Sequence, residues 1–242
     1  MKNNKGVPLR GQVALITGGA KGIGLAIARE LAADGCNLVL AGRDERALAK
    51  AGSELEHQVG VLTRACDVRD SISVQELIAA IEGKFHRLDI LINNAGIGHE
   101  NSSVADLAPE TWRNVIDTNL TGMFLVTHFA LALLKPGGVI VNNLSIAAKR
   151  VFPGSSAYNA SKHGALGFTN TLREELREKG IRMIALLPGA TNTAIWKTMW
   201  PDAPRKRMIN PETVARGVVS AIKLPAESTV EELVLVPSAG LL

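Results

Sequence analysis

The residues best suited to chemistry are a phenol and an ammonium four positions apart, in Tyr158-Asn159-Ala160-Ser161-Lys162. On a helix that spacing puts both side chains on one face, one turn apart. A free tyrosine titrates near pH ~10, too high to exchange protons readily at neutrality. An efficient acid–base group titrates close to the working pH. Lowering a phenol by about three units needs roughly 4 kcal/mol of selective phenolate stabilisation, and a neighbouring ammonium supplies it by favouring the ionised form. In isolation such a pair suits a solvated helix face just as well. Tyr158 is, however, the one tyrosine of the chain, so no second phenol competes for the role.

A second feature follows the first apolar run, in Thr17-Gly18-Gly19-Ala20-Lys21-Gly22-Ile23-Gly24. Glycine is needed where φ turns positive and where backbone must approach a ligand closely. A helix opening there offers free N–H groups and the positive end of its dipole to phosphates. Glycine-rich strand-to-helix turns are common, but placement directly after the first strand favours phosphate binding. The spacing is Thr-Gly-x-x-x-Gly-x-Gly, not the Gly-x-Gly-x-x-Gly of the broader dinucleotide-binding group.

With this turn the sequence resembles the short-chain dehydrogenase/reductase family. The family's other elements follow in order: Asp67-Val68, Asn93-Asn94-Ala95-Gly96, Asn119, Ser145, the Tyr158–Lys162 pair, and Pro188-Gly189-Ala190-Thr191-Asn192-Thr193. The likeness runs from the first strand to the last and looks closest to bacterial 3-oxoacyl-thioester reductases. It implies a nicotinamide cofactor held at the turn by Thr17, Gly18, Lys21, Gly22, Ile23 and Gly24. Asp67 and Val68 would meet the adenine. Asn94, Ala95 and Gly96 would form the cofactor floor, and Pro188, Gly189 and Thr193 would close over it. Tyr158 would be general acid in reduction and general base in oxidation, and Ser145 would hold the substrate oxygen. Lys162 would tune the phenol and bind the nicotinamide ribose, while Asn119 would hold a water linking Lys162 to solvent. Leu144 departs from the small or hydroxyl residue that many relatives carry before this serine, which would narrow the pocket there.

The second strand decides which cofactor is expected. NAD-specific members usually end it with an acid that binds the adenosine ribose. Here it ends Leu40-Ala41-Gly42-Arg43-Asp44, with glycine in the acid's place. A carboxylate would repel a 2′-phosphate, whereas the guanidinium of Arg43 can hold it in a fork. Lys21 is a second cation for the same phosphate, and Asp44 suits the cap of the next helix. NADP(H) is expected, acting on a small carbonyl or alcohol substrate. Carbonyl reduction is the first reading. Oxidation of a sugar or secondary alcohol would use the same residues in reverse. A non-catalytic NADP-binding regulator is disfavoured by the intact Tyr158–Lys162 pair.

The elements that must position these groups alternate along the chain. Strand-like runs lie at Val13–Ile16, Asn37–Leu40, Val59–Arg64, Leu88–Ile92, Gly138–Asn142, Ile181–Leu187 and Glu232–Val236. Helical patterns lie between them at Gly24–Ala33, from Asp44, at Ser71–Lys84, Thr111–Leu134 and Ala157–Lys179. Continuous Val/Ile/Leu runs are typical of strands buried on both faces of a parallel sheet. The expected fold is therefore α/β: one doubly wound, Rossmann-type parallel sheet of about seven strands in a single domain, 1–242. The segment 190–210, with Ile195, Trp196, Met199 and Trp200, reads either as an apolar substrate lid or as a packed or subunit-contacting surface.

Composition narrows the classes. Of 242 residues, 46% are hydrophobic and 21% charged, as in an ordinary globular domain. The net charge of +4 is scattered along helical faces, with one short run at Arg205-Lys206-Arg207, and five phenylalanines and one tyrosine offer little base stacking. No nucleic-acid partner is expected. The histidines show no metal-ligand spacing, so no metal is expected. No window approaches the roughly 20 apolar residues of a membrane span. Met1–Arg10 is polar and basic, and Val13–Ile16 is too short for a signal peptide core. Cys36 and Cys66 read as reduced core residues, which suits the cytoplasm. By family resemblance a homo-oligomer, dimer or tetramer, would form across the fourth and fifth long helices and the tail Val234–Leu242.

Overall fold

The computed structural model describes residues 8–240, so most of the basic N-terminal segment and the last two tail residues lie outside the described residues. Seven strands, β1 (Val13–Thr17), β2 (Asn37–Gly42), β3 (Val61–Ala65), β4 (Leu88–Asn93), β5 (Leu134–Asn143), β6 (Arg182–Pro188) and β7 (Glu232–Leu235), form one sheet. Their order is β3-β2-β1-β4-β5-β6-β7 and every pairing is parallel. Between β1 and β4 the chain reverses the direction in which it adds strands. A crevice at the carboxyl ends of the strands belongs at such a switch point.

Alternate strand residues feed two apolar layers, because successive side chains point to opposite faces. Ala14, Ile16, Ile90 and Ile92 pack on one side with helices α1 (Gly22–Ala33), α2 (Glu45–Leu55) and α8 (Pro211–Ile222). Val13, Leu15, Leu88 and Leu91 pack on the other with α3 (Ser71–Phe85), α5 (Gly122–Ala130) and α6 (Ser156–Arg177). The strands are buried on both faces, which is why they read as unbroken apolar runs. Two helices remain, α4 (Pro109–Ile116) and the single turn α7 (Trp196–Met199).

Three local features differ from the sequence reading. The helix expected over Thr111–Leu134 is interrupted by a π-helical turn at Asp117–Thr121, between α4 and α5, and helix ends at Ala130. Leu134 already pairs with Leu88 at the start of β5, across a register shift. Helix α8 lies in a stretch where no helix was expected. Pro211 at its first turn is pre-set for helix, and Val214, Ala215, Val218 and Ile222 present a buried stripe. Asp44 caps α2 as expected, its Oδ1 accepting from the Ala47 N–H at 3.0 Å.

A buried polar ladder ties both sides of the site together. Asn93 donates to Thr127 Oγ1 on α5 at 2.8 Å and to Asn142 Oδ1 at 2.9 Å, and Asn142 donates to Thr169 Oγ1 on α6 at 2.9 Å. Buried amides must find such partners, and once satisfied they fix a unique arrangement. Both cysteines are free and buried, and burial pushes the Cys36 thiol up to about 12. Among the described residues no group of three potential metal-ligating side chains occurs, and no helix is long and apolar enough to cross a membrane.

At Gly24 backbone packs against backbone with no room for a side chain: a Cβ would lie 2.4 Å from the Gly18 carbonyl oxygen. Gly24→Ala must therefore shift backbone, a strain of about 1–3 kcal/mol. At about 2–4 °C per kcal/mol for a chain of this size, thermal melting should show a clear fall in Tm.

Candidate active site

The glycine turn is shaped by conformation and by contact. Gly18 and Gly22 hold φ of 63° and 57°, in the left-handed region that favours glycine. A Cβ on Gly18 would lie 2.9 Å from Asn94 Nδ2, and one on Gly22 would lie 3.3 Å from Thr193 Cγ2. The turn therefore delivers bare backbone to the crevice. Helix α1 opens there with no side-chain cap at Lys21 and no acidic residue in its first turn. A pyrophosphate fits this cradle, since the opening N–H groups and the dipole both favour an anion.

Asn94 fastens the turn to the neighbouring strands. Its Nδ2 donates to the Thr17 and Gly18 carbonyls at 2.9 and 3.2 Å, and its Oδ1 accepts from Asn143 Nδ2 at 2.8 Å. Thr17 is buried, and its Oγ1 accepts from the Asn94 and Ala95 N–H groups at 3.0 Å each. Asn143 ends β5 and passes the connection to α6: its carbonyl accepts from Lys162 Nζ at 3.1 Å.

Tyr158 and Lys162 share one face of α6, with Nζ 5.6 Å from the centre of the phenol ring. Lys162 is only 4% exposed, and burial pulls its amine down to about 8. Burial raises the Tyr158 phenol, and the Ser145 hydroxyl beside it acts in the opposite direction. Among the protein's own groups the phenol is thus raised, not lowered as the spacing alone suggested. Burial, which disfavours the charged form of each group, is the largest cause for both. Ser145 follows β5, and its Oγ also accepts from the Ala147 N–H at 3.1 Å, capping a short 3₁₀ turn at Ile146–Ala148.

Asn119 sits in the π turn, fully buried. Its Oδ1 accepts from the Ile97 N–H at 2.8 Å, and its Nδ2 donates to the Ile97 carbonyl at 2.9 Å and to Ser161 Oγ at 3.1 Å. Ser161 in turn donates to the Tyr158 carbonyl at 2.8 Å. Single π turns inside α-helices recur at functional sites, and this one aims a carboxamide at the loop after β4.

One cleft of about 670 Å³ gathers most of these groups. Gly18, Lys21, Gly22 and Ile23 line one end; Asn94, Ala95 and Gly96 line the floor; Ser145, Tyr158 and Lys162 line the wall; Pro188, Gly189 and Thr193 line the side after β6. Thr17, Gly24 and Asn119 stand behind the surface rather than on it. Arg43, Asp67 and Val68 lie outside the cleft, at the ends of β2 and β3. The Asp67 carboxylate is gripped by Arg69 at 2.6–3.1 Å, which holds it below its ordinary range. Val68 is buried, close enough to leave Gly122 no room for a Cβ. Arg43 is exposed. Asn143, Asn101 and Phe152 also line the cleft and were not singled out from sequence. For Asn143 a signal existed, a second Asn-Asn pair at the end of an apolar strand.

A short-chain dehydrogenase family model matches residues 12–204. The chain belongs to the short-chain dehydrogenase family. A putative ketoacyl reductase of Streptomyces coelicolor is 36% identical over 238 residues, covering 87% of this chain and 90% of that protein. An alcohol dehydrogenase from the archaeon Thermococcus sibiricus, solved with 5-hydroxy-NADP, superposes with a TM-score of 0.89 at 32% identity, over 95% and 97% of the two chains. A variant of the actinorhodin polyketide ketoreductase, solved with NADPH, gives 0.83 at 35% identity over 93% and 95%. This short-chain dehydrogenase is thus an oxidoreductase acting between CH–OH and C=O groups, with the fold of its relatives.

Burial of Lys162 has a consequence for stability. Its amine titrates near 8 in the fold and near ~10.4 when unfolded. Between those values the unfolded chain binds the extra proton, so stability rises with pH across that window. Below pH 8 the penalty for burying the charge is fully present. The native protein should therefore gain stability relative to Lys162→Met as pH rises from 8 to 10.5, as urea unfolding at several pH values would measure. Parallel curves for the two proteins would show that Lys162 is not desolvated.

Proposed function

We propose that this enzyme reduces a carbonyl of the ketone or 3-oxoacyl type to an alcohol at the expense of NADPH. The observation that carries this reading is one cleft holding a phosphate cradle at one end and Ser145, Tyr158 and Lys162 on its wall. The cofactor, when bound, supplies the hydride. Ser145 and Tyr158 take the carbonyl oxygen between two hydroxyl donors, which stabilises negative charge as it develops there. Tyr158 then gives that oxygen its proton. Lys162 has used one N–H on Asn143 and keeps two for the nicotinamide ribose hydroxyls. The raising effect of burial on the Tyr158 phenol would be countered by the charge of Lys162, and by the positive charge an oxidised cofactor would supply when bound. Asn119 holds the Ile97 loop and the helix turn carrying Tyr158 at a fixed separation. We assign it also the water that returns a proton to Lys162.

NADPH is favoured over NADH because β2 ends in Gly42 followed by Arg43, with no carboxylate to repel a 2′-phosphate. Lys21 stands in the turn as a second cation. Relatives solved with NADP or NADPH support the same choice. Residues 190–210 serve as the substrate lid. The segment is clipped at its base by a parallel bridge between Thr191 and Ile209. Trp196 anchors it, packing against Ala190, Ala203 and Met208 and donating from Nε1 to the Thr191 carbonyl at 2.8 Å. A homo-oligomer is supported by Trp112 on α4 and Phe124 on α5, large apolar side chains that are 40% and 46% exposed. Two free, buried cysteines suit the reducing cytoplasm.

The test is NADPH oxidation followed at 340 nm on a short 3-oxo ester. Tyr158→Phe should cut kcat by about 10²–10⁴-fold, the range for loss of a positioned acid, with NADPH affinity retained. Full activity in that variant would exclude Tyr158 as the acid. Arg43→Ala should weaken NADPH binding about tenfold or more, since a charge-assisted bond is worth roughly 1.5–3 kcal/mol, and leave NADH binding unchanged. Equal loss with both cofactors would remove Arg43 from 2′-phosphate recognition.

A further inference from the structure

The charge distribution of the cleft narrows the substrate. Among the residues lining it, the charged ones are Lys21 and Lys162. Lys21 belongs to the glycine turn at the phosphate end. Lys162 is buried beneath Tyr158 and bonded to Asn143. The region flanking Ser145 and Tyr158 is walled by Leu144, Ile146, Phe152, Ile195, Met199 and Trp200. Its polar groups are neutral: the Asn101 carboxamide, for instance, already accepts from Ser155 Oγ at 3.1 Å.

Neighbouring charges are turned elsewhere. Lys197, on the lid helix itself, lines a separate hollow beside α1 and α8. Arg205 donates to the Thr193 carbonyl at 2.6 Å and to Asn192. Lys149 is paired with Glu232. Glu100 and Arg150 are exposed and do not line the cleft.

The lid is also pressed onto the opposite wall. A Cβ at Gly98 would lie 2.4 Å from Met199 Cγ and 2.5 Å from its Sδ. The missing side chain at Gly98 thus lets Met199 seal this end of the cleft with thioether and methylene.

Resting on the reductase reading above, we infer that the enzyme takes neutral carbonyl compounds with apolar substituents and rejects anionic ones such as 2-oxo and 3-oxo acids. A carboxylate entering this end would lose its water and find no cation there, which is strongly unfavourable. An alkyl chain would gain from every methylene laid against the wall.

The decisive comparison is between two substrates of one acyl chain, neutral ethyl 3-oxohexanoate and anionic 3-oxohexanoate, with saturating NADPH at pH 7. The ester should exceed the acid in kcat/KM by about a hundredfold or more. A second arm places a cation in the wall. Met199→Arg, checked for native circular dichroism and NADPH affinity, should raise kcat/KM for the acid and lower it for the ester. An acid used as well as the ester by the native enzyme overturns the inference and leaves the reductase reading standing. An unchanged ratio in folded Met199→Arg overturns it too, because the wall then does not flank the substrate. No NADPH oxidation with either compound, despite NADPH binding, overturns the reductase reading and this inference with it.

Discussion

A line of hydrogen bonds running across the carboxyl ends of three strands to the first turns of α6 sets the geometry of the site. It begins at the Thr17 and Gly18 carbonyls, passes through the carboxamides of Asn94 and Asn143, and ends at the Lys162 ammonium. The strand order makes it possible. β1, β4 and β5 are consecutive neighbours, so the residues that leave their ends stand side by side. The asparagine links each reach one strand over, and Lys162 reaches in from α6. The glycine turn and the helix carrying Tyr158 and Lys162 are thereby held at a fixed separation, which a cofactor spanning both would have to match. Positioning of this kind removes the cost of orienting groups during the reaction.

Behind that line the Asn93–Thr127–Asn142–Thr169 ladder does the corresponding work for the helices. It crosses from α5 through two strands to α6, the helix carrying Tyr158 and Lys162. The two networks use adjacent residues of the same strands. Asn93 and Asn142 belong to the deeper ladder, and Asn94 and Asn143 to the line bordering the cleft. Two Asn-Asn pairs at the ends of β4 and β5 are the result. An apolar core could hold α6 against the sheet, but it would tolerate small rotations of the helix. Directional bonds between buried amides and hydroxyls tolerate far less.

Much of this was legible in the sequence because the relevant signals are local. Val13–Ile16 and Leu88–Ile92 are unbroken apolar runs, and unbroken runs are what burial on both faces requires. The glycine turn was legible because Gly18 and Gly22 must adopt positive φ and Gly24 has no space for a side chain. The π turn at Asp117–Thr121 was not legible. It inserts into a continuous helical pattern, and what stabilises it is Asn119 bonding both backbone groups of Ile97, a contact distant in sequence. The raised Tyr158 phenol escaped for a similar reason. Spacing places Lys162 beside it, but burial of both groups depends on how α6 meets the sheet. Helix α8 was legible in principle, from Pro211 and the stripe at Val214, Val218 and Ile222. Its partner α1 lies almost the whole chain away, so the contact that buries its apolar face leaves no local signal.

The segment 190–210, proposed above as the lid, differs from the rest of the site in how it is held. Helix α7 has four residues, far too few to persist alone. Its order comes from the Thr191–Ile209 bridge at the base, Trp196 in its small apolar cluster, and Met199 seated on Gly98. The first two contacts lie within 190–210 and do not depend on the cleft. The third lies across it. Displacing Met199 from Gly98 would open the apolar end of the cleft while leaving the bridge and the Trp196 cluster in place. Ile195 also approaches Gly98, Thr193 packs beside Gly22, and Arg207 donates to the Ala239 carbonyl at 3.2 Å, so the segment meets its surroundings at several points besides Met199. Methionine suits that position, because an unbranched, polarizable side chain can repack against substituents of different shape. Directional hydrogen bonds thus hold the Tyr158–Lys162 end of the cleft, and an adaptable apolar contact meets it from residues 190–210.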